Sequence, residues 1–165
     1  MMQPTNSWHP DQIQPPVPLC NSMPHRGPVL AKLQAGDPAV RDRCARVWAK
    51  YEGKIAFLEI PDQTLDRVLR DMNVYVFALL ENYYMANACF LKEGQLLSDA
   101  RKLAGIPVTI INGRYDTICP PLTAYRLHKK LPKSKLVIVE RAGHTTMEPG
   151  IEAELLEAMK AFEQP

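Results

Sequence analysis

The sequence has 165 residues, 46% of them hydrophobic and 23% charged, and its formal net charge is +2. So small a charge gives no reason to expect binding to nucleic acid or to an anionic membrane, and no apolar run approaches the roughly 20 residues of a membrane span. The four cysteines lie far apart without a CxxC pair, so we expect reduced thiols, a cytoplasmic location, and neither a metal nor a cofactor.

Residues 1–36 are rich in proline and polar residues and show no hydrophobic period. This composition predicts an irregular, loop-like segment. The pattern then changes, because Asp37 suits an N-cap, Pro38 suits the first helical position, and apolar residues follow with helical spacing. The pattern predicts a helix that Gly53 ends.

A second, longer helix is predicted from about Thr64 to Phe90, because apolar residues recur there on two helical faces. The stretch "GQLLSDARKLAG" predicts a short helix that ends at Gly105. Residues 37–100 are therefore expected to form a helical unit.

Residues 101–165 follow a different pattern. The short apolar runs "IPVTIIN" and "KLVIVE" predict two strands of a parallel sheet, each buried on both faces. The segment "PPLTAYRLHKKLP" predicts a helix between them, and "IEAELLEAMKAF" predicts a terminal helix. This order is a βαβα unit, which indicates an α/β fold.

Two chemically capable residues each follow one of these strands. Asp116 lies in the loop after the first strand and His144 in the loop after the second. Loops that leave the carboxyl ends of parallel strands share one rim of the sheet, so neighbouring strands would let these side chains touch. An aspartate can hold an imidazole in the tautomer that a general base needs. Either residue alone is more often a turn former or a surface residue, and only the pair indicates catalysis.

Four motifs, "GRYDTICPP", "AGHTTMEPG", "WAKYEGKIAFL" and "LLENYYMANACF", together resemble the prolyl aminopeptidases (proline iminopeptidases), which are α/β-hydrolase serine peptidases. The resemblance covers roughly residues 37–163. It implies that residues 37–100 are a helical cap, that residues 101–165 are the C-terminal part of the hydrolase core, and that Asp116 and His144 are the second and third members of a catalytic triad.

The resemblance also implies substrate-binding roles. Glu52 of "YEG" and Glu81 of "LEN" match glutamates that hold the free N-terminal amine of the substrate, and Cys119 matches a cysteine near the pocket for the proline ring. A buried carboxylate is costly unless it meets a cation or donors, which agrees with an ammonium between two glutamates. A solvated Glu52, an arginine partner for Glu81 and a merely apolar role for Cys119 remain open.

The sequence departs from the family in one important respect, because it contains no GxSxG nucleophile motif. Ser7, Ser22, Ser98 and Ser134 lack that context, and the loop that supplies part of the oxyanion hole is also absent. We therefore expect a truncated prolyl aminopeptidase-like chain that is inactive alone. Its expected partners are peptides with an N-terminal proline, and either a second copy of the chain or the N-terminal half of the hydrolase.

Two alternatives to an enzyme fragment remain open. The chain is either a non-catalytic remnant that acts as a binding or dimerising module, or a generic helical module that binds a partner through its amphipathic helices. A GxSxG motif in the coding sequence before Met1 would favour an intact enzyme over a remnant.

Overall fold

The computed structural model describes residues 26–163. Within this range the helices and strands, in chain order, are α1 (Arg26–Leu33), α2 (Pro38–Ala56), α3 (Asp62–Arg70), α4 (Val74–Ala86), α5 (Gln95–Asp99), β1 (Val108–Gly113), α6 (Pro121–His128), β2 (Ser134–Val139) and α7 (Pro149–Glu163). Helices α1, α2 and α4 pack on one another and α3 packs on α2, whereas α6 and α7 contact the two strands.

Helix α1 corrects the expectation that residues 1–36 are irregular. Its Leu33 is fully buried with Ala45 and Ala78 in the core between α1, α2 and α4. Pro28 lies in the first turn of this helix, where a missing N–H costs no helical hydrogen bond. Residues 1–25 lie outside the described residues.

Helix α2 begins as predicted, since the Asp37 carboxylate accepts a hydrogen bond from Ala39 N at 2.8 Å and Pro38 is the first helical residue. Its predicted end at Gly53 is wrong, because the helix continues to Ala56. A Cβ on Gly53 would lie 2.4 Å from Cδ1 of Leu65, which is buried on α3. The glycine therefore allows close helix packing and does not end the helix.

The single helix predicted from Thr64 to Phe90 is also wrong. Helix α3 ends at Arg70, and α4 begins at Val74 with Asn73 as its N-cap, whose side chain accepts from Val76 N at 3.1 Å. Asparagine offers the backbone this local hydrogen bond as an alternative to a continuous helix. After α4, Ala88–Phe90 form a 3₁₀ turn with positive φ angles of 50°, 52° and 58°.

The predicted βαβα unit is present. Strands β1 and β2 are parallel neighbours, with Val108 opposite Ser134 and Gly113 opposite Val139, and α6 connects them. The pairing extends past both carboxyl ends, because Arg114 N donates to Val139 O at 2.9 Å and Tyr115 N donates to Ala142 O at 3.0 Å. The loops after the two strands are thereby held side by side.

The described helices include none whose length and apolar character would let it span a bilayer.

Candidate active site

The loops after β1 and β2 bring Asp116 and His144 into direct contact. His144 Nδ1 lies 2.9 Å from Asp116 Oδ2, although 28 residues separate the two along the chain. The contact follows from the pairing of β1 with β2, whose carboxyl ends share one rim. The structure thus brings together the two residues that the sequence indicated as a pair.

The Asp116 carboxylate is fixed through both of its oxygens. Its Oδ1 accepts hydrogen bonds from Ile118 N at 3.0 Å and Cys119 N at 2.7 Å, while Oδ2 faces the imidazole. The residue is only 7% exposed. The two backbone donors fix the orientation of this carboxylate, and in that orientation its second oxygen faces the His144 imidazole.

The pKa of His144 is raised to about 10. The main cause is the hydrogen bond with Asp116, the second is the neighbouring Cys119 side chain, and partial burial acts in the opposite direction. With Nδ1 engaged by the carboxylate, Nε2 is the nitrogen left for proton transfer, as in a Ser-His-Asp triad.

The backbone of the His144 loop is held by the segment that leaves α2. Ala56 O accepts hydrogen bonds from His144 N at 2.7 Å and from Thr145 N at 3.0 Å. The His144 loop and the helical region are therefore in direct contact at the histidine itself.

A cavity of about 410 Å³ lies between the helices and this loop. Glu52 of α2, Glu81 of α4 and His144 all line it, together with Ile118 and Thr145–Met147. Its remaining lining residues are mostly apolar: Ala49, Gly53, Ala56, Phe57, Leu65, Val68, Leu69, Met72 and Phe77. Two carboxylates and an imidazole therefore share one largely apolar cavity, which is typical of a ligand site.

The two glutamates have different surroundings within the described residues. Glu52 is 9% exposed, and Glu81 Oε2 accepts a hydrogen bond from Trp48 Nε1 at 2.7 Å. Trp48 thus contacts a glutamate that lines the cavity, and the helical spacing of apolar residues in α2 does not predict this contact. The signal that could have revealed it is the Trp48 indole N–H, which seeks an acceptor when the ring is buried.

Cys119 lies in the loop after β1, where its backbone N–H donates to Asp116. Its side chain is exposed and lies beside His144, and the lining of the cavity includes Ile118 but not Cys119. A role for Cys119 in binding the substrate ring remains a prediction.

Neither serine among the described residues lines the cavity beside His144. Ser134 is the first residue of β2, at the opposite end of that strand from the His144 loop, and its Oγ donates to Leu131 O at 2.7 Å. Ser98 Oγ donates to Gln95 O at 2.9 Å within α5. Ser7 and Ser22 lie outside the described residues.

Comparison with known proteins adds independent findings. Residues 88–159 match the family model of TAP-like proteins. The chain is 36% identical over 132 residues to a probable proline iminopeptidase of Leptolyngbya boryana, 38% identical over 135 residues to a proline iminopeptidase of Arabidopsis thaliana, and 36% identical over 132 residues to one of Xanthomonas citri. Each match covers 79% of this chain but only 41%, 36% and 42%, respectively, of the relative.

A structural comparison gives the fold. An esterase (EaEST) from Exiguobacterium antarcticum is similar with a TM-score of 0.57 at 18% sequence identity, over 86% of this chain and 48% of the esterase. Likeness at this identity shows the fold alone, which is that of the α/β-hydrolases. Together with the sequence matches, it identifies the chain as a counterpart of the C-terminal portion of the proline iminopeptidases.

Proposed function

We propose that this chain carries the acid–base pair and the amine-binding cap of a prolyl aminopeptidase, which removes proline from the N-terminus of peptides. The observation that supports this most strongly is the cavity that Glu52, Glu81 and His144 line together. The names of the relatives support the same substrate class. The chain spans less than half of each of these relatives, so the activity of the whole protein is part of the proposal.

In the proposed reaction a serine hydroxyl attacks the carbonyl carbon of the N-terminal proline. Neutral His144 takes the hydroxyl proton at Nε2, and Asp116 stabilises the resulting imidazolium through Nδ1. The tetrahedral intermediate collapses as His144 gives the proton to the leaving amine, and water then hydrolyses the prolyl ester by the same route in reverse. The 165 residues contain no GxSxG motif. We therefore propose that the serine comes from outside them and that the chain alone is inactive.

The free amine of the substrate is proposed to lie between Glu52 and Glu81. An N-terminal proline at neutral pH carries a secondary ammonium with two N–H donors, which suits two carboxylates. The apolar lining, including Leu69 and Phe77, suits the pyrrolidine ring, and about 410 Å³ is a normal size for a small-molecule site. The carboxylates therefore select a free N-terminus, and the apolar walls select the ring.

Binding of a small amine tests this proposal without requiring turnover. Prolinamide added to the isotope-labelled chain should shift the amide NMR signals of residues that line the cavity, such as Gly53 and Thr146. N-acetylprolinamide, which lacks the ammonium, should not. The double substitution Glu52→Gln and Glu81→Gln should remove the response, whereas Glu59→Gln, at an exposed position, should leave it unchanged. Equal responses to both ligands would rule out the amine-binding role.

A second candidate function is a binding or dimerising remnant. Its supporting observation is a cluster of exposed aromatic side chains, Tyr83, Tyr84 and Phe90, which are 42%, 51% and 60% exposed and contact one another. Contiguous exposed apolar surface is typical of interaction sites. Analytical ultracentrifugation tests this candidate, because a dimer that Phe90→Ser dissociates would favour it, and a monomer would not.

A cytoplasmic location is also part of the proposal. Cys44, Cys89 and Cys119 are free thiols, which is the state that a reducing compartment maintains.

A further inference from the structure

The glutamate of "MEPG" is buried in the loop between His144 and α7, and no step of the proposed reaction uses it. Glu148 is 7% exposed. Its Oε1 accepts hydrogen bonds from two backbone donors in different parts of the chain, Leu58 N at 2.5 Å and Gly143 N at 3.1 Å. One carboxylate oxygen thus joins the residue before the histidine to the segment that leaves α2.

The same two segments are joined in the opposite direction. Ala56 O accepts from His144 N and Thr145 N, so three hydrogen bonds join residues 56–58 to residues 143–148, two through the Ala56 carbonyl and one from Leu58 N to the Glu148 carboxylate. The bond from Gly143 N holds the same carboxylate oxygen within its own loop. Hydrogen bonds to a charged acceptor are about twice as strong as neutral ones. The Glu148 bonds are therefore a substantial part of this attachment.

Gly143 brings the segments close enough for these bonds. A Cβ at this position would lie 2.8 Å from Ala56 O and 2.9 Å from Leu58 N. Backbone atoms cannot move aside as the end of a flexible side chain can, so the contact requires glycine. The contact between the two segments thus depends both on the absence of a side chain at residue 143 and on the reach of the Glu148 carboxylate.

The attachment determines a distance that matters for the proposed reaction. Glu52 lies one helical turn before Ala56, and His144 directly follows Gly143. The distance between the Glu52 carboxylate and the His144 imidazole therefore depends on how residues 56–58 contact residue 143. A misplacement of about 1 Å between binding and reacting groups can reduce a rate about a hundredfold.

We propose that Glu148 is a positioning residue, whose carboxylate holds the His144 loop against the segment leaving α2 and so sets the imidazole relative to Asp116 and the cap. The consequence for catalysis rests on the proposed function, but the positioning itself does not.

The test uses the whole 165-residue chain with two NMR readouts. In Glu148→Ala, amide hydrogen exchange at Leu58 and Gly143 should accelerate about tenfold, because a partly buried and a buried donor lose their acceptor. The downfield Nδ1 proton signal of His144, which reports the hydrogen bond to Asp116, should weaken or disappear. Glu148→Gln retains an acceptor oxygen and should preserve both readouts. Glu152→Ala, at an exposed position one turn further along, is the matched control and should change neither.

Loss of amide protection with an unchanged His144 signal would show a local structural role and would overturn the proposal, as would no change in either readout. If Glu148→Ala does not fold, Glu148→Asp replaces it, because the carboxylate is then one methylene shorter and cannot reach both donors. The proposal predicts a weakened His144 signal in Glu148→Asp, and an unchanged one would overturn it. Neither readout requires substrate, so failure of the positioning proposal is distinguishable from failure of the proposed function.

Discussion

His144 Nδ1 lies 2.9 Å from Oδ2 of Asp116, and the other oxygen of that carboxylate is occupied by the backbone N–H groups of Ile118 and Cys119. The aspartate therefore cannot turn away from the histidine without losing two further hydrogen bonds. This arrangement makes the fixed aspartate the main cause of the raised pKa of the imidazole, and its consequences can be measured in the chain itself.

Replacing Asp116 by asparagine should lower the pKa of His144 from about 10 toward its ordinary value of 6.5, because the first cause of the raised pKa is removed. The measurement is an NMR titration of the imidazole in the unsubstituted chain and in Asp116→Asn. Asp42→Asn, at an exposed position of α2, is the control and should leave the titration unchanged. A pKa that stays near 10 in Asp116→Asn would contradict the assigned cause.

The same pair predicts a pH dependence of stability. The folded-state pKa of His144 lies above 6.5, so its protonated form contributes stability that is fully present below pH 6.5 and is lost as the pH rises through about 10. The difference in the free energy of unfolding between the unsubstituted chain and Asp116→Asn should therefore be larger at pH 6 than at pH 10.5. Urea denaturation at the two pH values measures it, and a difference that grows with pH would contradict the prediction.

Gly113 should be intolerant of substitution, because it is the last residue of β1 and lies against the His144 loop. A Cβ there would lie 1.9 Å from Gly143 O and 2.5 Å from Ala142 O, so backbone must move. We expect Gly113→Ala to lower the free energy of unfolding by about 3 kcal/mol, the upper part of the range for overpacking. Gly105→Ala, where a Cβ would meet nothing within 4 Å, is the control. Equal stability of the two variants in urea would contradict the close approach of the two loops.

Asn73 should contribute as a helix cap. Asn73→Ala removes the acceptor for Val76 N and should lower the free energy of unfolding by about 1 kcal/mol. Asn73→Asp keeps a capping oxygen and should retain most of the stability. If alanine and aspartate are equivalent at this position in thermal or urea denaturation, the separation of α3 from α4 does not depend on this cap.

The contrast between Asp116 and Asn73 shows what the sequence could predict. The Asp116–His144 contact followed from a general property of parallel sheets, since loops at the carboxyl ends of neighbouring strands share one rim. The break at Asn73 was missed because apolar residues keep helical spacing on both sides of it, and one polar cap does not interrupt such a pattern. Hydrophobic periodicity detects a buried face and is insensitive to a short interruption.

Glu148 and Trp48 show more clearly which contacts a sequence pattern cannot predict. The Glu148 carboxylate binds the amide of Leu58, 90 residues away, and Trp48 binds Glu81, 33 residues away. Such partners are fixed by tertiary packing, and a local pattern gives no information on them. Gly53 was misassigned for the same reason, because the side chain that requires a glycine there belongs to another helix, at Leu65.

Turnover that depends on His144 tests the central claim most directly. The chain should be expressed alone and together with the residues that precede the matched region in the proline iminopeptidase-like protein of Leptolyngbya boryana, and each preparation assayed with proline 2-naphthylamide. The account predicts no hydrolysis by the lone chain, hydrolysis by the combined chains, and loss of that hydrolysis in His144→Ala. Hydrolysis by the lone chain, or hydrolysis by the combined chains that survives His144→Ala, would contradict it.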